Sequence, residues 1–225
     1  MMELKAHAPF TLFGAFTGIV CMLLFKNLQQ HISQRIFYVF HPAHVLLSAI
    51  VTTSMFELHT QKKRLVVIVL IGFFGSVGVS TLSDSVIPHI GELLLGMHIH
   101  VHEHASFAER AHIGFIEEWQ IVIPAAIAGI LIAYFRPKTK VPHAGHVLLS
   151  TWASSFHIIM AMGGHLSLLD AIGSFGFLFL AVLLPCCFSD IVFPLLFVKP
   201  LSNLPHVHHH SSNKIEPTSG TSAEP

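Results

Sequence analysis

Two short stretches of the sequence carry histidines whose spacing could bind a metal ion. The stretches are HPAHVLLS (residues 41–48) and HAGHVLLS (residues 143–150), which agree at six of eight places. The histidines that recur in them are His41, His44, His143 and His146. Two histidines three residues apart on a helix lie on one face, within reach of each other. Each pair could therefore hold a metal, cap a helix end, or form an anion or proton site.

An aspartate follows each histidine pair further along the chain. Residues 83–88 are SDSVIP and residues 189–194 are SDIVFP, so that Asp84 and Asp190 occupy equivalent places. Neutral imidazole together with carboxylate suits zinc, iron, nickel, cobalt or manganese. Each half of the chain thus offers two histidines and one aspartate as candidate ligands for a divalent transition metal, whose identity the residue types leave open.

The matching stretches indicate an internal duplication. A weaker match, IGFFG (71–75) and IGSFG (172–176), falls between the other two in each half, so all three pairs occur in the same order. Common order at nearly constant separation is the signature of a repeat. Duplicated membrane units are frequent among secondary transporters, where the two copies are inverted relative to each other.

The composition predicts which elements position these side chains. Hydrophobic residues make up 52% of the 225 residues and charged residues only 11%, against about a quarter charged in soluble domains. Long apolar runs are therefore expected to be membrane-spanning helices. Six runs are predicted as spans: 8–25, 45–58 (extended backwards through His41), 65–82, 121–135, 146–163 and 171–198. The predicted fold is an all-α integral membrane protein with six transmembrane helices in a 3+3 inverted repeat, because three spans per unit reverse the second unit.

The distribution of lysine and arginine predicts the orientation. With six spans, nine of the 12 lysines and arginines lie on the side of the termini and three on the opposite side. The positive-inside rule then places both termini in the cytoplasm of a plasma or bacterial inner membrane. We expect residues 1–104 to form the first unit with a non-cytoplasmic loop, 105–200 the inverted second unit, and 201–225 a disordered cytoplasmic tail.

The predicted spans also place the repeated side chains. His41 and His44 are expected to begin the second span at the non-cytoplasmic surface, with Asp84 just after the third span at the same level. The second histidine pair is expected to begin the fifth span at the cytoplasmic surface, with Asp190 near the cytoplasmic end of the sixth. The two candidate sites are thus predicted to lie at opposite faces of the membrane.

Further histidines lie between and within the predicted spans. The non-cytoplasmic loop, predicted over 83–120, contains His89 and the tract MHIHVHEH. Alternate spacing puts the tract's histidines on one side of an extended segment, which is typical of metal capture. These histidines are His98, His100, His102 and His104. His157 falls in the middle of the fifth span, where it is either a functional group or is bonded to a hydroxyl such as Ser80 or Thr81.

One further spacing resembles a known signature. His165 and Asp170, which are separated by four residues in HLSLLD, resemble part of the signature of nickel/cobalt permeases. Ala171 stands where that signature continues with another histidine. The sequence is therefore assigned to no family.

The leading hypothesis from these patterns is a permease for a divalent transition metal, with the lipid bilayer and the ion as its partners. Nothing in the sequence indicates nucleic acid binding, and six spans make a small bundle that could assemble as a homodimer. A membrane metalloenzyme, a haem-binding electron carrier and an anion- or proton-coupled transporter remain alternatives. An enzyme is the weaker of these hypotheses, because catalysis needs its ligands at one level of the membrane.

Overall fold

The computed structural model describes residues 2–60, 64–96, 112–138, 140–162 and 167–198, and every element in them is helical. The helices are α1 (Met2–Phe25), α2 (Gln30–His59), α3 (Leu65–Leu95), α4 (Gly114–Glu117), α5 (Trp119–Phe135), α6 (Lys140–Met162) and α7 (Leu168–Cys187, continued over 188–196). Three of them, α2, α3 and α7, are long and apolar enough to cross a membrane. The length and apolar character of these helices indicate an integral membrane protein.

The burial pattern is that of a bundle surrounded by an apolar medium. Large apolar side chains face outwards, with Leu24, Phe135 and Leu168 each more than 70% exposed. The interior contains many hydroxyl and imidazole groups, and His44 and Asp84 are completely buried in it. Lipid solvates the outer apolar face, whereas interior polar groups must find partners on neighbouring helices. The chemistry of this protein is therefore concentrated inside the bundle.

Two helices widen into π-helical turns at the repeated aspartates. Asp84 lies in the π-helical turn Leu82–Val86 of α3, and Asp190 lies in the turn Phe188–Val192 of α7. A proline follows each aspartate four residues later, and proline cannot donate the backbone hydrogen bond that would return to the aspartate's carbonyl. The SDxVxP pattern thus explains why the helix widens at both places. Such widened turns are frequent at functional sites.

Helices from the first half of the chain pack against helices from the second half. Helices α2 and α6 run antiparallel, since Phe37 contacts His157 while His44 contacts His146. Helix α1 packs on α6 and α7, whereas α5 packs on α2 and α3. Small residues allow the close approach: the Gly129 backbone of α5 lies against the Leu46 carbonyl of α2.

The predicted start of the second span and the predicted end of the third span are wrong. Both errors placed candidate residues at the end of a helix, close to the predicted membrane surface. Helix α2 begins at Gln30, so His41 and His44 lie near its middle rather than at its start. Helix α3 continues to Leu95 instead of ending at residue 82. The polar residues of SDS suggested a loop, but Asp84 and its serine neighbours are buried against other helices. Contacts with neighbouring helices therefore allow α3 to continue through these polar residues.

Candidate functional site

Asp84 is the centre of a buried cluster that joins α2 to α3. Its Oδ2 atom lies 2.9 Å from His41 Nδ1 and 2.7 Å from His44 Nδ1. All three side chains are completely buried. Helical spacing puts the two imidazoles on one face of α2, and the π-helical turn of α3 brings the carboxylate between them. The sequence prediction that these three residues share a site is consistent with this geometry.

The second oxygen of Asp84 is held by hydroxyl groups. Ser83 Oγ donates to Asp84 Oδ1 at 2.7 Å, and Ser150 Oγ of α6 donates to the same atom at 2.9 Å. Ser154 Oγ also donates to the Ser83 carbonyl at 2.9 Å. With two donors at each oxygen, the carboxylate is fully hydrogen-bonded, as a buried carboxylate must be. Helix α6 thus fixes the position of Asp84.

The bonding at Asp84 decides which ring nitrogens are left for a ligand. A carboxylate can only accept hydrogen bonds, so the Nδ1 atoms of His41 and His44 carry the hydrogens. In its neutral form, each ring then keeps a lone pair on Nε2. Neither Nε2 atom has a hydrogen-bond partner among the residues that the structure describes. A carboxylate that orients imidazoles through their other nitrogen is the arrangement found around metal-binding histidines.

The second histidine pair adjoins the first instead of lying at the opposite face. The His146 ring centroid is 5.5 Å from that of His44 and 5.1 Å from that of His143. The predicted separation of the two pairs is therefore wrong. Antiparallel packing brings the middle of α2 beside the first half of α6. This contact was not expected, because both histidine pairs were predicted to lie at the start of their helices. The Asp190 side chain lies outside the described residues.

A second buried cluster contains His89, Glu92 and His157. His89 Nδ1 lies 3.1 Å from Glu92 Oε2, and His157 Nε2 lies 3.5 Å from Glu92 Oε1. All three side chains are at most 2% exposed. His89 was expected in a loop but lies on α3. Sequence reasoning did not select Glu92 as a site residue, although its i,i+3 spacing from His89 was a usable signal.

Neither hydroxyl considered as a partner for His157 bonds to it, and Ser80 Oγ has no hydrogen-bond partner among the described residues. Thr81 Oγ1 donates to the Val77 carbonyl at 2.7 Å, and His157 instead pairs with Glu92. Phe37 connects the two clusters, because its ring stacks on His41 at 5.4 Å and meets His157 edge-on at 5.6 Å. The imidazole and carboxylate groups of the two clusters therefore form a series along the interior of the bundle.

This succession of polar groups covers much of the bundle's length. On α6 it runs from His143 to His157, which at 1.5 Å per residue is about 21 Å. The hydrocarbon core of a bilayer is about 30 Å thick. The series, which is half-buried at His143 and buried from His146 onwards, is therefore long enough to cross most of that thickness.

His112 and Glu117 lie next to the second cluster, ahead of α5. The His112 ring is 6.2 Å from the His157 ring, and His112 Nδ1 is 3.5 Å from Glu117 Oε1. Burial raises the pKa of Glu117 to about 7, with a smaller contribution from the charge of Glu118. Burial also lowers the pKa of His112, assisted by the charge of His89.

The raised pKa of Glu117 predicts a pH dependence of stability. The folded protein keeps the Glu117 proton to higher pH than the unfolded chain, so this residue's contribution to folding is greatest in acid. That contribution is expected to fall as pH rises from the ordinary value of 4.5 to about 7. Thermal unfolding of Glu117→Gln and wild type, compared across this range, should show a smaller decline for the variant. Parallel curves would contradict the prediction.

Several predicted site residues lie elsewhere. His98, His100, His102 and His104 lie outside the described residues, as does His165. Asp170 has a structural role: its backbone N–H donates to Ser167 Oγ at 3.1 Å, and its Oδ2 accepts from the Ser167 backbone N–H at 3.0 Å. This reciprocal pair caps the start of α7. Capping accounts for Asp170 without a metal.

The comparisons with known proteins assign no relative. No protein family model, curated protein or solved structure matches the chain. The geometry of the two clusters and of the helices that hold them is therefore what indicates the function.

Proposed function

We propose that the chain is a membrane permease for a divalent transition-metal cation. The observation that carries the proposal is the pair of buried Nε2 atoms of His41 and His44, which the Asp84 carboxylate orients from the opposite side of each ring. Neutral imidazole nitrogen is a good ligand for zinc, nickel, cobalt and iron. His143 and His146 extend the donor set along α6, and Asp190 is proposed to serve the second pair as Asp84 serves the first.

Pairs of equivalent contacts support a 3+3 inverted repeat of six spans. Ser154 Oγ donates to the Ser83 carbonyl at 2.9 Å, and in the other half Thr52 Oγ1 donates to the Ser189 carbonyl at 3.5 Å. The packing of α1 on α6 and α7 likewise mirrors that of α5 on α2 and α3. The proposal counts α1, α5 and α6 as additional spans and places both termini in the cytoplasm. Inverted halves suit a carrier that opens alternately to the two sides.

The serial arrangement of ligands favours permeation over permanent storage. Conduction requires binding that is favourable enough to admit an ion but distributed enough to release it. The His44 and His146 rings are 5.5 Å apart, so an ion can exchange between pairs by small displacements. We propose that ions pass between the two pairs, driven by a gradient or by a partner subunit.

A membrane metalloenzyme is the second candidate. The sequence argument against it was the separation of the histidine pairs, and the contact between His44 and His146 removes that argument. Ligands from α2 and α6 could together hold a catalytic metal with an open position. A haem absorbance band, or turnover of a substrate by the metal-loaded protein without ion flux, would favour this candidate or the electron carrier.

Reconstitution into liposomes tests the permease directly. The purified protein is placed in vesicles that contain a metal-sensitive dye, and zinc, cobalt, nickel, manganese and ferrous iron are added outside in turn. We expect saturable uptake of at least one metal, well above that of protein-free vesicles, in the presence of an imposed ion or proton gradient. Absence of uptake for all five metals, with correctly folded protein in the vesicles, would overturn the proposal.

The histidine tract is proposed to raise the local metal concentration at the outer side. Deleting residues 98–104 should raise the external metal concentration needed for half-maximal uptake by several fold, with the maximal rate unchanged, because the tract collects ions without forming the path. A variant with the same number of glycine and serine residues in place of the tract controls for loop length. A collapse of the maximal rate in that variant would show that the tract belongs to the path.

A further inference from the structure

We infer that His89, Glu92 and His157 form a second metal site, separate from the cluster around Asp84. The three residues come from α3 and α6 and are each at most 2% exposed. Their ligand atoms lie within 4.8 Å of one another. The chemical class expected is a zinc-like divalent cation, held by two imidazoles and one carboxylate. This inference concerns binding and does not depend on transport.

The distances fit such an ion with little rearrangement. Metal–ligand bonds of about 2.0–2.2 Å at tetrahedral angles place neighbouring ligand atoms about 3.3–3.6 Å apart. The separations to the two Glu92 oxygens are 3.1 Å from His89 Nδ1 and 3.5 Å from His157 Nε2. Small rotations of the side chains bring the three groups onto one centre. Three protein ligands leave a fourth position open, as in sites that exchange their ligand.

The electrostatics of Glu92 also favour a cation. Its carboxylate is 2% exposed, and its ion-pair partners among the described residues are both histidines, which carry charge only if protonated. Its Oε1 atom has no hydrogen-bond partner in the described part of the chain, and neither does His157 Nδ1. The other oxygen, Oε2, bonds to His89 Nδ1 at 3.1 Å, so the carboxylate is only partly compensated, and burying it in this state is costly. A divalent cation between Glu92 and the imidazoles removes that cost.

The proposed repeat contains no equivalent of the second site. In the register of the proposed repeat, the equivalents of His89, Glu92 and His157 are Leu195, Val198 and Met55, none of which is a hard or imidazole ligand. In the sequence, the histidine tract follows directly after the end of α3 that carries His89 and Glu92. Resting on the proposed function, we assign the site as the place where ions load before they reach Asp84.

Metal binding by the full-length protein in detergent tests the site. Metal-stripped protein is titrated with cobalt, whose absorbance reports its coordination, and with zinc in competition. Glu92→Gln and His157→Gln should each lose one tightly bound equivalent, or bind it at least about 100-fold more weakly, since losing even an outer-shell partner costs about 10–100-fold. His59→Gln, which changes an exposed histidine, should keep the wild-type number of equivalents. The histidine tract and the tail contribute equally in every variant.

The outcomes separate this site from the permease. If either Glu92→Gln or His157→Gln, folded by circular dichroism and gel filtration, binds metal as wild type does, the second site is overturned. If both lose the equivalent while vesicles of wild type show no flux, the site stands and the permease fails. If flux is present and the equivalent is unchanged in both variants, the permease stands and the site fails. Because Glu92 and His157 lie on different helices, a loss of binding in both variants cannot be attributed to local misfolding of one helix.

Discussion

Replacing Asp84 by asparagine should abolish metal flux while the protein remains folded in the membrane. An amide at this position either turns its NH₂ group towards His41 and His44 or presents an uncharged oxygen to them. In the first case the imidazoles must move their hydrogens to Nε2 and lose the lone pairs that bind metal. In the second case they lose the negative charge that orients them and favours a bound cation. Either way two ligands weaken together, so we expect at least about a 100-fold loss of flux.

A matched aspartate on the same fold controls for this substitution. Asp170→Asn changes a carboxylate that caps α7 and lies in a partly exposed position, and its flux should stay close to that of wild type. Asparagine also retains an oxygen that can accept from Ser167. Uptake into liposomes is measured for equal amounts of both variants. Normal flux in Asp84→Asn would contradict the role of the Asp84 cluster, whatever the metal.

Replacing Gly129 by alanine should cause the largest loss of stability among single small substitutions. A Cβ atom at this position would overlap the Leu46 carbonyl oxygen and lie 2.7 Å from the Ala49 Cβ atom. The obstacle is backbone, so it cannot rotate aside, and α5 must separate from α2. Overpacking of a close contact costs about 1–3 kcal/mol, and more where the backbone must move. We expect a clearly lower thermal unfolding midpoint in detergent.

Gly176→Ala is the matched control on α7. A Cβ atom built at Gly176 meets no atom within 4 Å, so alanine fits without displacement. Because alanine has a higher helix propensity than glycine, by up to about 1 kcal/mol, this variant should be as stable as wild type or slightly more stable. Equal unfolding midpoints for both alanine variants would show that the α2–α5 contact is looser than the structure has it.

Local patterns in the sequence determined several features of this protein. Apolar runs without charge predicted helices and an integral membrane protein, because the hydrophobic thickness of a bilayer sets a minimum length that can be counted along the chain. The i,i+3 spacing placed His41 and His44 on one face. Their association with Asp84 followed from the order in which the two motifs recur in each half.

The tertiary structure decided how deeply these residues are buried and which side chains they contact. The polar segment SDS has the composition of a loop, yet α3 continues through it, because contacts with α6 compensate for burying its polar groups. The contact between His44 and His146 follows from antiparallel packing over a long sequence separation. For the same reason the sequence did not pair Glu92 with His157, although the i,i+3 spacing of Glu92 from His89 could be seen along the chain. Its partner His157 lies on another helix, and only packing of α3 against α6 brings carboxylate and imidazole together.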